Sequence, residues 1–399
     1  MAEITERGAG PRLPVTEMVN AFVAFLFAAS APVAIILGAG VRGGLSEADL
    51  ASWLFAAFAV NGVLTIGMSV VYRQPLAFFW TIPGTVLVGA ALQSLSFTEV
   101  IGAYLLTAVL LLALGLTGWV KAAMDRLPMP IVMAMVAGVF VEFGLDWIRA
   151  FERDFVLVAA MTATFFVLTV MPRAQKVFPP MIGVLIAGLA VLLVQGGEGV
   201  AAEGPARIFA APVLYAPEFS LAAALELVVP LAVTVIAAQN AQGIVILRSA
   251  GHNPPVNAIT TACGGTSAVT ALLGCVSTCL TGPSNAILVS GGPVSRHWIA
   301  AVLLGALAIL FGIFAPLVTN LLLATPTAFL STLAGLALLR TLQAAFQTSF
   351  KGDFSLGAMI AFLVTMAGVP IFNIGAPFWG LVFGVATSLL LEREAFRAR

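Results

Sequence analysis

Long apolar stretches follow one another along almost the whole chain, and short polar links separate them. Most of the stretches are about 20 residues long, which is the length that a helix needs to cross the hydrocarbon core of a bilayer. The pattern predicts fourteen membrane spans, at residues 18–40, 51–72, 78–93, 97–120, 129–149, 153–171, 179–196, 221–247, 255–273, 275–291, 297–316, 326–346, 355–372 and 376–391. We therefore expect an all-α integral membrane protein.

The third and tenth spans are interrupted by a Thr-x-Pro motif, at Thr81–Pro83 and Thr281–Pro283. Only about ten apolar residues follow each proline, which is too few for a complete crossing. A helix that begins at mid-membrane leaves free backbone N–H groups there, and these are tolerated only where they line a cavity or are buried in protein. A proline kink is the alternative for either motif alone. The matched pair favours two half-helices, preceded by extended chain, whose N-termini face each other across a polar or anionic ligand.

The two halves of the chain repeat one another. Each half holds seven predicted spans, and Pro32 precedes Pro83 by 51 residues much as Pro230 precedes Pro283 by 53. Because seven is an odd number, the second half must enter the membrane from the opposite side, which gives two inverted seven-span repeats. With both termini in the cytoplasm, 14 of the 18 Lys and Arg residues fall in cytoplasmic segments, as the positive-inside rule requires.

Composition excludes several classes of function. The chain of 399 residues is 61% hydrophobic and 9% charged, with a mean hydropathy of +1.08, and these values exclude a soluble globular protein. The formal net charge of zero gives no reason to expect a nucleic-acid partner. The three cysteines lie in apolar segments with no neighbouring histidine, so we expect no metal site and no cofactor. No hydrolase triad or phosphate loop is recognisable, so we do not expect an enzyme.

Polar residues within the spans are the candidates for a binding site, because a polar side chain in lipid needs a partner. Gln239 and Asn240 lie at the predicted depth of the two breaks, although hydrogen bonding between helices is an alternative role for them. Two helix N-termini together with amides and hydroxyls, and without a nearby carboxylate, favour an anion. Phe27 and the segment 78–80 could provide an apolar wall for a ring, so the features together suggest an organic anion. The predicted substrate-binding residues are Ser30, Phe79, Thr81, Ile82, Gly84, Gln239, Asn240, Thr281, Gly282, Ser284 and Asn285.

Acidic residues are few in the spans. Glu142 is the one carboxylate that we expect deep enough in the membrane to carry a proton, and pairing with Arg149 is the alternative. Glu226 is expected near the outer rim, too far from the breaks to touch a ligand. Both histidines, His252 and His297, fall in cytoplasmic links, so neither is expected to act as an intramembrane proton relay.

Several segments resemble the benzoate:proton symporter family of bacterial inner membranes. Among them are SAPVAIILGAG, YRQPLAFFWTIPGTVLVGAAL, PMPIVMAMVAGVF and QNAQGIVILRSAGHNPPVNAITTACGG. That family is in turn similar to the uracil, xanthine and sulfate permeases. The resemblance implies a core domain of spans 1–4 and 8–11 (residues 1–127 and 220–324) and a gate domain of spans 5–7 and 12–14 (residues 128–219 and 325–399). Gln239 and Ser284 stand where nucleobase permeases have glutamates, which argues against a nucleobase.

The resemblance implies a secondary transporter of a benzoate-like carboxylate, coupled to a proton, that works by alternating access in the bacterial inner membrane. A carrier or exchanger of small inorganic anions and an anion channel are the alternatives. The exact substrate, the coupling ion and the oligomeric state stay open, with a homodimer as one alternative.

Overall fold

A computed structural model describes residues 15–120, 128–171, 180–195, 207–369, 371 and 376–397. Its helices, numbered along the chain, are α1 (Val15–Arg42), α2 (Glu47–Tyr72), α3 (Ile82–Ala91), α4 (Phe97–Thr117), α5 (Met129–Arg153), α6 (Phe155–Val170), α7 (Pro180–Val194), α8 (Leu221–Ser249), α9 (Val256–Leu272), α10 (Gly282–Leu288), α11 (Val294–Ile313), α12 (Ala315–Leu323), α13 (Thr327–Phe350), α14 (Ser355–Ala367), α15 (Ala376–Leu391) and α16 (Arg393–Arg397). Two short strands are present, β1 (Phe78–Trp80) and β2 (Thr278–Leu280).

Each predicted span coincides with a helix or half-helix. Helices α1–α11 fall at the first eleven spans and α13–α15 at the last three, whereas α12 was not predicted. Seven of the described helices are long and apolar enough to cross a membrane, namely α1, α2, α4, α5, α8, α11 and α13. Five shorter apolar helices are α3, α6, α7, α14 and α15. The chain is therefore a predominantly helical membrane protein, and the total of fourteen crossings stays a prediction.

The two predicted half-helices begin where the Thr-x-Pro motifs stand. Helix α3 starts at Ile82 and has 10 residues, and α10 starts at Gly282 and has 7. At 1.5 Å per residue they are about 15 and 10 Å long, well short of a crossing. A proline in the first turn suits a helix start because its missing N–H would have no partner there in any case.

The extended segments before the half-helices pair with each other. Strands β1 and β2 are antiparallel, with Phe79 opposite Cys279. The pairing continues beyond the strands, since Thr81 N donates to Ser277 O at 3.0 Å and Thr281 N donates to Ala77 O at 3.1 Å. Because the strands are antiparallel, α3 and α10 leave the pair in opposite directions and both N-termini point back toward it. This pairing is a departure from an entirely helical fold.

Neighbouring helices satisfy the outer edges of the strand pair. The hydroxyl of Thr65 in α2 accepts from Phe78 N at 2.9 Å, and the hydroxyl of Ser267 in α9 accepts from Thr278 N at 2.9 Å. Irregular backbone at membrane depth requires such partners because no lipid group can replace them. The strand pair is thus held between α2 and α9, which are corresponding helices of the two repeats.

The helices pack in two groups. In one group α5 packs on α13 and α14, α14 packs on α15, and α6 packs on α7. In the other, α1 contacts α3, α10 and α11, α2 packs on α11, and α4 packs on α9. Helices α4 and α9 pack closely because Gly115 has no side chain: a Cβ there would lie only 2.5 Å from Thr261 N. Helix α1 also contacts α7 and α13 of the first group. The division into a core domain and a gate domain stays a prediction.

Candidate substrate site

A small cavity lies where the strand pair meets the two half-helices. It has a volume of about 20 Å³, and its lining comes from α1, β1, α3, α8 and the start of α10. The lining residues are Phe27, Ala28, Pro32, Phe79, Trp80, Ile82, Gln239, Thr281, Pro283 and Ser284. A volume of this size accommodates about one water molecule. In this conformation the cavity between the two half-helix starts is therefore too small for an organic ligand.

Five of the predicted site residues meet at this cavity, namely Phe79, Ile82, Gln239, Thr281 and Ser284. No Lys, Arg, Asp, Glu or His is among its lining residues. The described lining thus combines an amide, hydroxyls and aromatic side chains, and its role in substrate binding stays a prediction. The side chain of Ser30 lies outside the part of the chain that the structure describes.

Two polar atoms on the cavity-lining residues are buried without a hydrogen-bond partner among the described residues. They are Thr281 Oγ1 and Trp80 Nε1. A buried polar group that is left unpaired costs about 1–3 kcal/mol, so each such atom needs an explanation. Gln239 and Ser284 are also buried, with 9% and 2% of their surface exposed. A polar ligand would supply a partner for Thr281 Oγ1 and for Trp80 Nε1.

The two half-helix N-termini differ although both begin with Thr-x-Pro. The hydroxyl of Thr81 accepts from Gly84 N at 3.2 Å and donates to Thr234 Oγ1 at 3.0 Å. Thr281 makes no corresponding bond, and no side chain caps α10. The backbone N–H groups around Gly84 and Ser284 are predicted to hold the charged end of the ligand, and in the described conformation the N–H of Gly84 donates to Thr81. Thr81 is itself fully buried, and its hydroxyl is engaged in hydrogen bonds within the protein.

Asn240 and Asn285 hold the strands and do not line the cavity. Asn240 Oδ1 accepts from Leu280 N at 2.7 Å. Asn285 Oδ1 accepts from Ala77 N at 3.1 Å, while its Nδ2 donates to Ala77 O at 3.2 Å and to Thr281 O at 2.6 Å. The structure therefore gives both amides internal partners, and their role as substrate ligands stays a prediction without support from the cavity lining. For Asn240 the alternative of hydrogen bonding between elements is the one that the structure shows.

Gly282 also lies beside the cavity and not on its wall. A Cβ at this position would lie 2.4 Å from the Cδ atom of Gln242. The absence of a side chain thus lets the Gln242 amide pack against the start of α10. The close approach of Gln242 explains why a glycine fits here, and the predicted contact of Gly282 with a substrate stays a prediction.

Helix α8 carries Gln239 and Asn240 in a π-helical turn, Thr234–Asn240. A second π-turn spans Ala224–Val228 near the start of the same helix. Such turns change the direction of the side chains that follow and are frequent at functional sites. Here the adjacent residues 239 and 240 serve different partners, since Gln239 faces the cavity and Asn240 faces β2.

A larger cavity of about 620 Å³ is lined by residues of α1, α3 and α8 on one side and of α5, α14 and α15 on the other. We name it the vestibule, and its polar lining includes Arg42, Gln93, Glu142 and Glu226. The predicted orientation places all of these at the outer side. Arg42 forms an ion pair with Asp146 and stacks on the Phe143 ring at 4.5 Å from its centroid. These contacts join the two helix groups at the edge of the vestibule.

The two acidic residues in the vestibule differ in burial and in their neighbours. The Glu142 side chain is 45% exposed and lies 3.7 Å from Arg149 NH1, which is the pairing considered as the alternative. Glu226 is only 5% exposed. The position of Glu226 away from the small cavity agrees with the prediction, since it lines the vestibule and not the cavity between the half-helices.

A family model for the benzoate membrane transport protein matches residues 12–390. The chain belongs to this family. The benzoate membrane transport protein of Acinetobacter baylyi (strain ATCC 33305 / BD413 / ADP1) is 28% identical over 386 residues, which cover 94% of this chain and 95% of that protein. The inner membrane protein YdcO of Escherichia coli (strain K12) is 29% identical over 394 residues, covering 97% and 98%. The family is one of multi-pass inner membrane transporters and not of enzymes.

Solved structures of transporters share the fold. SLC26A9 aligns with a TM-score of 0.66 and 13% identity, covering 94% of this family member and 64% of the SLC26A9 chain. The transmembrane domain of the cyanobacterial bicarbonate transporter BicA aligns with a TM-score of 0.59 and 14% identity, covering 93% and 97%. At this level of identity the likeness concerns the fold alone. It agrees with the predicted relationship to the sulfate permease fold group.

The predicted site residues do not include one polar group of the candidate cavity. Trp80 was considered only as part of an apolar wall, whereas its indole nitrogen is one of the two buried atoms without a partner. Its ring contacts Phe58 at 5.2 Å and Phe79 at 5.8 Å between centroids. The one signal in the sequence is the location of a tryptophan directly before the Thr-x-Pro motif.

Proposed function

We propose that the protein is a secondary transporter of an aromatic carboxylate, benzoate or a close relative, that carries its substrate together with a proton. The observation that carries the proposal is the cavity between the half-helices, which combines aromatic walls with buried polar groups that have no partner in the described protein. Family membership supports an organic anion as the substrate, since the relative from Acinetobacter is named for benzoate.

The carboxylate would bind at the start of α10. Its oxygens would accept hydrogen bonds from the hydroxyls of Thr281 and Ser284 and from the amide of Gln239, all of which belong to the cavity lining. Hydrogen bonds to a charged group contribute about 1.5–3 kcal/mol each, so a few of them can replace a basic residue. The ring would lie against Phe27 and Phe79.

Entry of an aromatic ring requires the cavity to widen, because its present volume is about 20 Å³. Helix α1 contributes Phe27, Ala28 and Pro32 to the wall, and Pro32 interrupts its hydrogen bonding because proline has no N–H. We propose that this part of α1 moves away from α10 when substrate binds. The vestibule between α1, α3 and α8 on one side and α5, α14 and α15 on the other provides the outer approach.

Alternating access would follow from movement of one helix group against the other. We propose that residues 1–127 and 220–324 form a core domain that carries the site, and that residues 128–219 and 325–399 form the gate domain. The vestibule lies between the described parts of the two, and Arg42 and Asp146 connect them at its edge. With both termini in the cytoplasm, the vestibule faces the outside. Glu142 stays the predicted proton carrier, and it would take up its proton from the vestibule, where its side chain is 45% exposed.

The small volume of the cavity favours a second candidate, a carrier of small inorganic anions. The two functions separate in proteoliposomes that contain the purified protein. We expect saturable uptake of radiolabelled benzoate, driven by an inward proton gradient, and counterflow when unlabelled benzoate is trapped inside. Protein-free liposomes measure the passive entry of benzoic acid. Uptake of chloride, bicarbonate or sulfate without benzoate uptake would support the second candidate, and flux without counterflow would indicate a channel.

A further inference from the structure

The indole nitrogen of Trp80 is a polar group at the substrate site that the proposed binding mode leaves unused. Trp80 lines the cavity with 2% of its surface exposed, and its Nε1 atom has no hydrogen-bond partner among the described residues. A buried indole N–H normally finds a partner. Its position at the last residue of β1, directly before the Thr81 cap, holds the ring next to the site.

We propose that Trp80 Nε1 donates a hydrogen bond to the substrate and thereby selects ligands that present an acceptor oxygen. This inference rests on the proposed function, since it assigns a further residue to the same site. The hydroxyls of Thr281 and Ser284 and the amide of Gln239 can each donate or accept, so they tolerate either kind of ligand group. An indole N–H can only donate. A ligand that offers only donors at this point leaves the N–H buried and unpaired.

The surroundings of Trp80 fix the position of its ring. The Phe58 ring lies 5.2 Å from the indole, and the Phe79 ring lies 5.8 Å away at an interplanar angle of 80°. Phe58 also packs on Phe311 with a centroid distance of 4.3 Å. A donor held by packed aromatic rings needs little reorganisation when the ligand arrives. Trp80 is therefore suited to specificity as well as to packing.

Trp53 provides a matched control. Its Nε1 atom is also buried without a partner among the described residues, and its side chain is fully buried, but it does not line the cavity. We expect Trp80→Phe to raise the Kd for benzoate about tenfold or more, which is the effect of losing one hydrogen bond to a charged group. Trp53→Phe should change the Kd less than about twofold. Equilibrium binding of radiolabelled benzoate to the purified proteins measures both values.

A spectroscopic measurement separates a hydrogen bond from a packing role. Ultraviolet resonance Raman spectra report hydrogen bonding at the indole N–H, and benzoate should shift this band in the parent protein and in Trp53→Phe but not in Trp80→Phe. Benzylamine, which offers only donors, should neither shift the band nor compete with benzoate. The parent spectrum also decides the matter if Trp80→Phe does not fold.

The outcomes distinguish this inference from the proposed function. If the parent protein does not bind benzoate, the proposed function fails. If the parent binds benzoate without a shift of the N–H band, or if Trp80→Phe binds it as tightly as the parent, the role of Trp80 is overturned while the proposed function stands.

Discussion

The two corresponding threonines, Thr81 and Thr281, provide the most direct test of the site. Both precede a proline at the start of a half-helix, but Thr81 caps α3 whereas Thr281 Oγ1 has no partner among the described residues. Replacing each by valine keeps the shape of the side chain and removes the hydroxyl. We expect Thr281→Val to impair substrate binding and Thr81→Val to impair stability.

The magnitudes follow from the contacts of each hydroxyl. Loss of one hydrogen bond to a carboxylate removes about 1.5–3 kcal/mol, so Thr281→Val should raise the Kd for benzoate roughly tenfold to a hundredfold. Its Tm should not fall, because no hydrogen bond within the described protein is lost. Thr81→Val removes the bonds to Gly84 N and Thr234 Oγ1. Loss of a helix cap costs about 0.5–2 kcal/mol, so its Tm should fall by a few degrees while the Kd changes little.

The assay needs both quantities for both variants. Equilibrium binding of radiolabelled benzoate gives the Kd, and thermal unfolding in detergent gives the Tm. Unchanged binding in Thr281→Val would refute the placement of the carboxylate at α10. The reverse pattern, with weak binding in Thr81→Val and an unfolding defect in Thr281→Val, would mean that the ligand lies at α3 instead.

Three further predictions concern other parts of the core. Ser284→Glu places a negative charge on the cavity wall, so it should abolish benzoate uptake while the protein still inserts and folds; uptake equal to the parent would contradict an anion site. Asn285→Ala removes three hydrogen bonds, to the backbone of Ala77 directly before β1 and to Thr281 O, so it should lower the Tm by several degrees, and an unchanged Tm would show that these bonds contribute little to stability. In the α8–α9 link, burial and the neighbouring His297 lower the pKa of His252 below 6.5. Folding with a neutral His252 ring, whose Nε2 lies 3.0 Å from Nδ1 of His297, therefore contributes stability above about pH 6.5. This contribution is lost as the pH falls through the lowered pKa of His252, so the Tm should fall as the pH is lowered below about 6.5, and less so in His252→Gln.

The features predicted correctly from the sequence depend on local rules. The apolar spans are recognisable by their length, and the half-helix starts by Pro83 and Pro283, because a proline is accepted at the first turn of a helix and disfavoured inside it. The roles of individual polar residues were harder to predict. A polar residue in an apolar span has the same appearance whether it faces a cavity or another backbone segment. The direction of Gln239 and Asn240 depends on the π-turn at Thr234–Asn240, which sequence periodicity does not reveal.

The same reasoning applies to the acidic residues. Distance along α8 correctly placed Glu226 away from the half-helices, but it gave no information on burial. Burial of Glu226 depends on the packing of its π-turn against α3, α4 and α15. The Glu142 side chain stays 45% exposed because it lines the vestibule. These are contacts between elements distant in sequence, so a single sequence without the fold contains no direct signal for them.

The two half-helices differ at their N-termini, since α3 is capped by a side chain and α10 is not. The two Thr-x-Pro motifs are alike in sequence, yet Thr234 in α8 accepts from Thr81 and thereby fixes that hydroxyl over Gly84 N. At the other half-helix Gln242 packs against Gly282, and Thr281 makes no cap. Under the proposed function, a substrate with a single carboxylate needs only one uncapped half-helix, and a second would leave additional polar groups buried without a partner. The partners supplied by α8, and not the motifs themselves, therefore distinguish the two half-helices.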